Sequence, residues 1–275
     1  MKVKAGSLMA NSDPKSTLSS IVNFIRNENP DLIPQIVNQH RAHLSNLVWD
    51  FHQHTVAYGP FKGLKLDADA HWGGADRGTM VLGIYEQEIL EQLSSLAGQF
   101  KTFIDLGAAD GYYGIGVLVG KLFERSYCFE MTEKGQQIIQ KNAELNQVAD
   151  RVFIRGVADK NFHLQIEPQD LESAVLFVDI EGSEFELFDQ QVFSAFKRST
   201  IFIELHDWFF PDALLKIQKL KAQSAWTHDW AEMHMGSRDL SNFKELHNLN
   251  DNDRWLLCSE GRGRQMSWLR LNPKI

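Results

Sequence analysis

The chain has 275 residues, of which 43% are hydrophobic and 23% charged, and its formal net charge at pH 7 is −8. These proportions are typical of a soluble globular chain, and the acidic balance argues against a general nucleic-acid binder, which needs a basic face to neutralise phosphates. Two cysteines are too few for a disulfide framework, and the N-terminal residues lack the apolar core of a signal peptide. No apolar run approaches the ~20 residues of a membrane helix. We therefore expect a cytoplasmic protein without a membrane span.

The N-terminal third of the chain predicts a tail, two helices and a long connection. Residues 1–16 mix polar residues and Pro without periodicity, which predicts a mobile tail. Residues 17–26 and 31–52 place Leu, Ile and Val at helical spacings. Residues 55–83 are rich in glycine, and long connections of this kind are often functional. The predicted organisation is a tail, an N-terminal extension that covers the site, and an α/β domain: residues 1–16, 17–98 and 99–275.

From residue 103 onward, strand and helix signals alternate regularly. Near-continuous runs of Val, Ile, Leu and Phe predict strands at residues 103–106, 126–130, 152–154, 174–180 and 200–205. Helical patterns separate or follow them at residues 112–122, 133–146, 184–196 and 212–223. This alternation predicts an α/β fold with a doubly wound, Rossmann-like parallel sheet that is covered on both faces. Residues 254–259 and 266–271 predict an antiparallel hairpin that closes the sheet.

The strongest local signal is FIDLGAADGYYG at residues 103–114. Asp105 lies near the end of a predicted strand, and Gly107 and Gly111 let the backbone turn tightly before a helix begins. Such a turn at the carboxyl end of a central strand is where doubly wound folds accept nucleotide-like ligands. Glu130 ends the next predicted strand, where a carboxylate can accept both hydroxyls of a ribose. The pattern predicts an adenosine site; the alternative is that the glycines only make the turn and Glu130 only caps a helix.

The acidic residues of this turn favour S-adenosylmethionine over a dinucleotide. A nicotinamide site usually has the spacing G-x-G-x-x-G directly after the strand, whereas this turn has the spacing G-x-x-x-G. A pyrophosphate would meet the carboxylates of Asp105 and Asp110. S-Adenosylmethionine instead offers a cationic amino group and a sulfonium, which carboxylates attract. The sequence therefore predicts S-adenosyl-L-methionine as the cofactor.

The sequence also resembles the FkbM-like class I S-adenosylmethionine-dependent methyltransferases, from about residue 58 to residue 271. The resemblance rests on seven segments in the expected order: GPFKGLKL (59–66), LGIYEQEI (82–89), FIDLGAADGYYG (103–114), YCFEM with KNAELN (127–131, 141–146), LFVDIEGSEFEL (176–187), IFIELHD (201–207), and RWLLCSEGR with MSWLRL (254–262, 266–271). It implies a seven-stranded sheet with a reversed last strand and a methyltransferase domain at residues 99–275. It also implies methyl transfer to an oxygen of a sugar, a polyketide or another small or glycan-linked acceptor.

The resemblance further implies which residues hold the cofactor. Asp105 would contact its amino group and Glu130 its ribose, whereas Met131, Val157 and Ala158 would contact its adenine. The chain reads AAD at residues 108–110, where in the family an asparagine often follows the alanine, and Asp110 adds a charge to which we assign no role. The predicted cofactor-binding residues are Asp105, Gly107, Ala108, Ala109, Gly111, Glu130, Met131, Val157, Ala158 and Asp179.

The segments VDIEGSE and IELHD end two predicted strands and carry the candidate catalytic residues Asp179 and His206. A hydroxyl acceptor must lose its proton, so His206 is predicted to be a general base, or to share a divalent cation with Asp179 and residues 204–207. We favour the metal-free version and assign no metal ligand. The alternatives are that Asp179 caps a helix and His206 is structural. Three further acidic residues are taken as a solvated helix start, namely Glu181, Glu184 and Glu186.

Three functions remain open at this point. The leading one is an O-methyltransferase; the others are a methyltransferase acting on nitrogen or a macromolecule, and a non-catalytic module that binds an adenosine ligand. The expected partner is a small-molecule or glycan acceptor, with no nucleic acid, and homo-oligomerisation is left open. Cys128 and Cys258 are both predicted inside strands, so neither is expected to act as a nucleophile.

Overall fold

The computed structural model describes residues 14–274. The helices in this range are α1 (Pro14–Glu28), α2 (Leu32–Phe51), α3 (Arg77–Val81), α4 (Gln87–Ser95), α5 (Tyr112–Val119), α6 (Glu133–Leu145), α7 (Pro168–Leu171), α8 (Glu184–Leu187), α9 (Gln190–Ala195), α10 (Ala213–Ser224) and α11 (Asp251–Cys258). The strands are β1 (Thr102–Leu106), β2 (Arg125–Phe129), β3 (Val152–Arg155), β4 (Ala174–Val178), β5 (Thr200–Leu205), β6 (His228–His234) and β7 (Ser267–Pro273). Most of the predicted tail lies outside the described residues, but its residues 14–16 begin α1.

The strands form one seven-stranded sheet in the order β3-β2-β1-β4-β5-β7-β6. Strands β1 to β5 pair in parallel, whereas β7 is antiparallel to both β5 and β6. The predicted doubly wound, Rossmann-like α/β fold with a reversed strand is therefore confirmed. The chain order reverses between β1 and β4, and a crevice at the carboxyl ends of such strands is where this class of sheet binds ligands.

The predicted C-terminal hairpin is wrong in one of its two strands. Residues 254–259 belong mostly to α11, where the side chain of Asn250 accepts a hydrogen bond from the Asp253 amide and starts a helix. Cys258 therefore ends a helix and does not lie in a strand. The strand that takes this place beside β7, on the side away from β5, is β6, whose mostly exposed side chains give no apolar pattern in the sequence.

Side chains alternate between the two faces of the sheet and fill two apolar cores. Phe103, Phe177 and Phe202 point to the face that is covered by α2 and α5, with residues 56–96 contributing to the same core. Ile104 and Leu176 are among the residues that point to the opposite face, where α9 and α10 pack. Because β1, β4 and β5 are buried along their whole length, apolar burial fixes the positions of their carboxyl ends.

The N-terminal extension packs on this core through α2. Its residues Leu44, Val48 and Trp49 are buried, and the Gly78 amide of α3 donates a hydrogen bond of 2.6 Å to Ser45 Oγ. The predicted boundary between extension and domain at residue 98 stays a prediction. Within residues 14–274, no helix combines the length and the apolar character that crossing a bilayer requires.

Trp268 of β7 allows a test of this packing. It is fully buried, and its ring stacks on Phe177 with centroids 4.9 Å apart. Trp268→Ala should lower the free energy of unfolding by about 3–5 kcal/mol, because a large cavity opens where the reversed strand meets the sheet. Urea denaturation measures the change. Trp226→Ala, at a side chain that is 54% exposed, is the control and should stay within about 0.5 kcal/mol of the parent. Equal losses in the two variants would contradict the packing described here.

Candidate active site

The loop after β1 approaches β4 so closely that it admits only glycine at its first position. Gly107 has a φ of +90°, and a Cβ there would overlap the carbonyl oxygen of Asp179. Its amide and that of Ala108 donate to the Phe129 carbonyl at 3.0 and 2.9 Å. Gly111, with a φ of +80°, then turns the chain into α5. The predicted turn therefore joins the ends of β1, β2 and β4 at one point.

Glu130 lies directly after β2 and is held against this loop. Its Oε2 accepts a hydrogen bond of 3.1 Å from the Ala109 amide, and its Oε1 accepts from the amide and hydroxyl of Thr132 at 2.8 and 2.7 Å. Only 7% of the residue is exposed. The carboxylate is thus fixed at the place where the sequence predicts contact with a ribose.

The side chain of Asp105, a residue of β1, is buried against the first turn of α5. Its Oδ2 accepts a hydrogen bond of 3.1 Å from the Gly114 amide. Burial, together with the nearby charge of Asp179, raises the pKa of Asp105 to about 8. A cationic group that reached this carboxyl would therefore favour its ionised form.

Asp110, to which the sequence analysis gave no role, anchors the glycine-rich connection over the loop. Its carboxylate accepts hydrogen bonds from the amides of His71 and Trp72, at 2.8 and 3.4 Å. The His71 ring in turn forms a hydrogen bond with the Thr132 side chain: His71 Nε2 lies 3.0 Å from Thr132 Oγ1. Residues 70–76 line a cavity of about 510 Å³ above this contact. The connection thus covers the loop after β1, as the long glycine-rich segment suggested.

The three residues predicted to contact adenine form the open rim of this half of the site. Met131 and Val157 are 74% and 59% exposed, and Ala158 is half-buried. Met131 follows Glu130 directly, and the Glu130 amide donates to the Arg155 carbonyl near the end of β3. These apolar side chains are therefore free to cover a flat ligand beside Glu130.

The ends of β4 and β5 bring Asp179 and His206 together, as their place in the sequence predicted. His206 Nε2 lies 3.5 Å from Asp179 Oδ1, and equally far from Glu181 Oε2 and Glu204 Oε2. The His206 side chain is only 3% exposed, and Asp179 Oδ1 is buried with no hydrogen-bond partner. Burial lowers the pKa of His206, but the surrounding carboxylates outweigh it and raise the pKa overall.

Glu184 is structural, and its assignment to a solvated helix start is wrong. It is fully buried, and its Oε2 and Oε1 each accept a hydrogen bond of 2.8 Å, from the amides of Gly182 and His206. It therefore ties the chain after β4 to the chain after β5. Glu186 is exposed as predicted, and Glu181 is half-exposed in a left-handed backbone conformation with a φ of +52°.

Arg262 was missed by the sequence analysis and lies at the centre of the buried charges. Its guanidinium pairs with Glu86, with Glu204 at 2.8 Å and with Glu260 at 2.8 Å. The Tyr113 hydroxyl also donates to Glu86, at 2.7 Å. In the sequence, Arg262 is visible only as the last residue of the RWLLCSEGR segment, and no neighbouring residue indicates which carboxylates its guanidinium contacts.

Two of the carboxyl groups that pair with Arg262, those of Glu86 and Glu204, hold protons more tightly than exposed carboxyl groups do. Burial raises the pKa of Glu86 to about 8 despite Arg262. Burial and the neighbouring charge of Asp179 raise the pKa of Glu204 well above its usual range. The same acidic neighbours raise the pKa of Arg262, although burial opposes them. Burial and mutual repulsion therefore favour the protonated form of Glu86 and Glu204, whereas Arg262 favours their charged form.

A cavity of about 690 Å³ opens on the other side of Arg262. Its lining combines cationic, aromatic and apolar side chains, among them Arg238, Arg262, Arg264, Trp255, Met235 and Met266. Arg264 is exposed and stacks on Trp208, with its guanidinium carbon 5.2 Å from the ring centre. Since Trp208 packs against His206, the cavity adjoins the ends of β4 and β5.

No protein-family model matches the sequence, and no curated protein matches it. Among solved structures, the chain is similar to cofactor-bound Rv0187 from MTB, at 12% identity over 95% of this chain and 98% of that one (TM-score 0.47). It is similar to Streptococcus pneumoniae Sp1610, a candidate tRNA (m1A22) methyltransferase solved with S-adenosyl-L-methionine, at 14% identity over 68% and 72% (TM-score 0.45). A Bacillus cereus O-methyltransferase in complex with SAH shares 17% identity over 68% and 78% (TM-score 0.44). At such similarity, chemistry has to be inferred from the side chains of the site.

The buried Asp105 predicts a pH dependence of stability in the unliganded chain. Its pKa is raised in the folded state, so the folded chain keeps a proton that the unfolded chain has released. This contribution to stability should therefore be present at low pH and be lost as the pH rises to about 8. Asp105→Asn should weaken the dependence, because the amide carries no charge and can still accept from Gly114. Urea denaturation at a series of pH values up to and beyond about 8 measures this pH dependence of the free energy of unfolding.

The control is Asp150→Asn, at an exposed position, which should keep the pH dependence of the parent. An Asp105→Asn variant with an unchanged pH dependence would contradict the proposed cause.

Proposed function

We propose that this chain is an S-adenosylmethionine-dependent methyltransferase that transfers a methyl group to a hydroxyl oxygen of a sugar, a glycan-linked or another small acceptor. The observation that carries the proposal is the contact between two half-sites. The loop of Gly107, with Asp105 and Glu130 beside it, meets the end of β4 at Asp179, next to His206. A cofactor held by the first half-site would present its reactive end to the second.

The first half-site fits S-adenosylmethionine by shape and by charge. Gly107, Ala108 and Gly111 carry at most a methyl group, so a ligand would meet no bulky side chain of these residues on the loop. Glu130 is fixed where it can accept both ribose hydroxyls, and the carboxyl of Asp105 suits a cationic amino group. When bound, the cofactor supplies an electrophilic methyl group. The acidic surroundings favour this cationic ligand over a dinucleotide, whose pyrophosphate they would repel.

The FkbM-like character of the enzyme is part of the proposal. Residues from four of the segments on which that resemblance rests converge on one cluster. LGIYEQEI supplies Glu86, and IFIELHD supplies Glu204 and His206. LFVDIEGSEFEL supplies Asp179, and RWLLCSEGR supplies Arg262. Segments that lie far apart in sequence and meet at the same site support a shared chemical role for them.

The cavity beside Arg262 supports a small acceptor. At about 690 Å³ it falls within the range of small-molecule sites, and it adjoins Trp208 and His206. Holding an acceptor oxygen in line with the methyl group accounts for much of the rate in such reactions. The acceptor hydroxyl must also lose its proton, and the side chains placed for that step are Asp179 and His206.

Cofactor binding is the first test. We expect calorimetry to show binding of S-adenosylmethionine and of its demethylated product, and none of NAD. Glu130→Ala should weaken binding of both adenosyl ligands by about 1.5–3 kcal/mol, because hydrogen bonds to a charged carboxylate are lost. Glu133→Ala, at an exposed residue of α6, is the matched control and should bind like the parent. Tight NAD binding without a response to either adenosyl ligand would refute the proposal.

Methyl transfer is the second test. Incubation with methyl-labelled cofactor and fractionated cell extracts should place the label on a small hydroxylated acceptor. His206→Ala should lower turnover by about 10²–10⁴-fold with cofactor affinity nearly unchanged, because its role begins when the acceptor proton departs. His234→Ala, on the exposed edge strand β6, should keep full turnover. Label recovered on nitrogen or in a macromolecule would replace the O-methyltransferase by the second candidate function.

A further inference from the structure

We propose that Asp179, Glu181 and His206 bind a divalent cation. One ligand atom from each residue lies within 4.8 Å of the other two, and His206 Nε2 is 3.5 Å from an oxygen of each carboxylate. Atoms that share a cation at about 2.1 Å lie about 3.0–3.4 Å from one another, so small side-chain movements complete the site. Two carboxylates and one imidazole suit Mn²⁺ or a similar first-row cation.

The state of the Asp179 carboxylate and of the His206 ring points to a ligand independently of this spacing. Asp179 Oδ1 is buried and has no hydrogen-bond partner. The His206 side chain is 97% buried, and its Nε2 faces carboxylate oxygens at 3.5 Å, beyond the usual length of a hydrogen bond. Buried polar atoms are normally paired, so the unpaired Asp179 Oδ1 beside the His206 ring is arranged for a partner that lies between them.

The residues around the cluster support ligation. Glu184 accepts from the His206 amide and places Oε1 3.4 Å from His206 Nδ1, so a carboxylate lies behind the ring, on the side where the partners of metal-binding histidines lie. Arg262 pairs with Glu86, Glu204 and Glu260. Of the two carboxylates nearest to His206 Nε2 in the proposed ligand set, Asp179 and Glu181, neither forms an ion pair with Arg262.

The cation would act on the acceptor, and this role rests on the proposed function. Glu181 is 52% exposed, so the site opens toward solvent and leaves coordination positions for an acceptor oxygen. A bound cation would lower the pKa of a coordinated hydroxyl, so that the hydroxyl could release its proton to solvent water, which reaches the site beside Glu181, before its oxygen takes the methyl group. In this arrangement His206 acts as a ligand and not as the general base. This proposal differs from the metal-free version that the sequence favoured.

The site can be tested on the full chain without cofactor or acceptor. Mn²⁺ titration followed by electron paramagnetic resonance should reveal one site in the parent protein. Glu181→Gln, at a half-exposed residue, should weaken Mn²⁺ binding at least tenfold. Glu186→Gln is the matched control, because it removes an equal charge five residues further along, outside the cluster, and should leave binding unchanged. His206→Gln should also lose binding, with circular dichroism and a thermal melt verifying that this buried variant folds.

Two outcomes would overturn the proposal: no Mn²⁺ binding by the parent protein, or equal binding by the parent and Glu181→Gln. The methyltransferase proposal can fail separately. If Mn²⁺ binds and no methyl transfer is found, the cation site stands and the function falls. If transfer proceeds at full rate in the presence of a chelator and Mn²⁺ does not bind, the function stands and the cation site falls.

Discussion

The set of ion pairs made by the partly buried guanidinium of Arg262 is the interaction on which the site depends. Carboxylates are expensive to bury without a partner, and three of them, Glu86, Glu204 and Glu260, meet this one cation. They come from the N-terminal extension, the end of β5 and the C-terminal loop. One residue therefore ties together parts of the chain that share no local structure, and it compensates the charge that these parts bring to the ends of the central strands.

Arg262 links the site to the adjoining cavity. Among its carboxylate partners, Glu260 lines the cavity and Glu204 faces His206. Asp179 also faces His206 but forms no ion pair with Arg262. The cofactor half-site is held by different means, since Asp105 and Glu130 accept hydrogen bonds from backbone amides. The cofactor half-site and the half-site of Asp179 and His206 meet where Gly107 packs directly against the end of β4. Movement of one half-site would therefore displace the other.

The fold and half of the site could be predicted because their signals are local. Buried parallel strands give continuous apolar runs, and the Gly107 turn requires a residue that tolerates positive φ. Where the local signal was weak or misleading, prediction failed. The strand β6 has mostly exposed side chains, so its sequence lacks an apolar pattern, and α11 has apolar residues that resemble a strand. Glu184 has the sequence context of an exposed helix start, yet it is fully buried.

The sequence by itself determined the class of sheet, the turn after β1, and the presence of Glu130, Asp179 and His206 at strand ends. These follow from periodicity and spacing over a few residues. Only the tertiary structure decided what those groups face. Arg262 reaches Glu86 across 176 positions of sequence and Glu204 across 58, and no local pattern encodes such pairs. The same holds for His206 among its carboxylates, because the approach of two side chains on different strands depends on sheet register and on the packing that sets it.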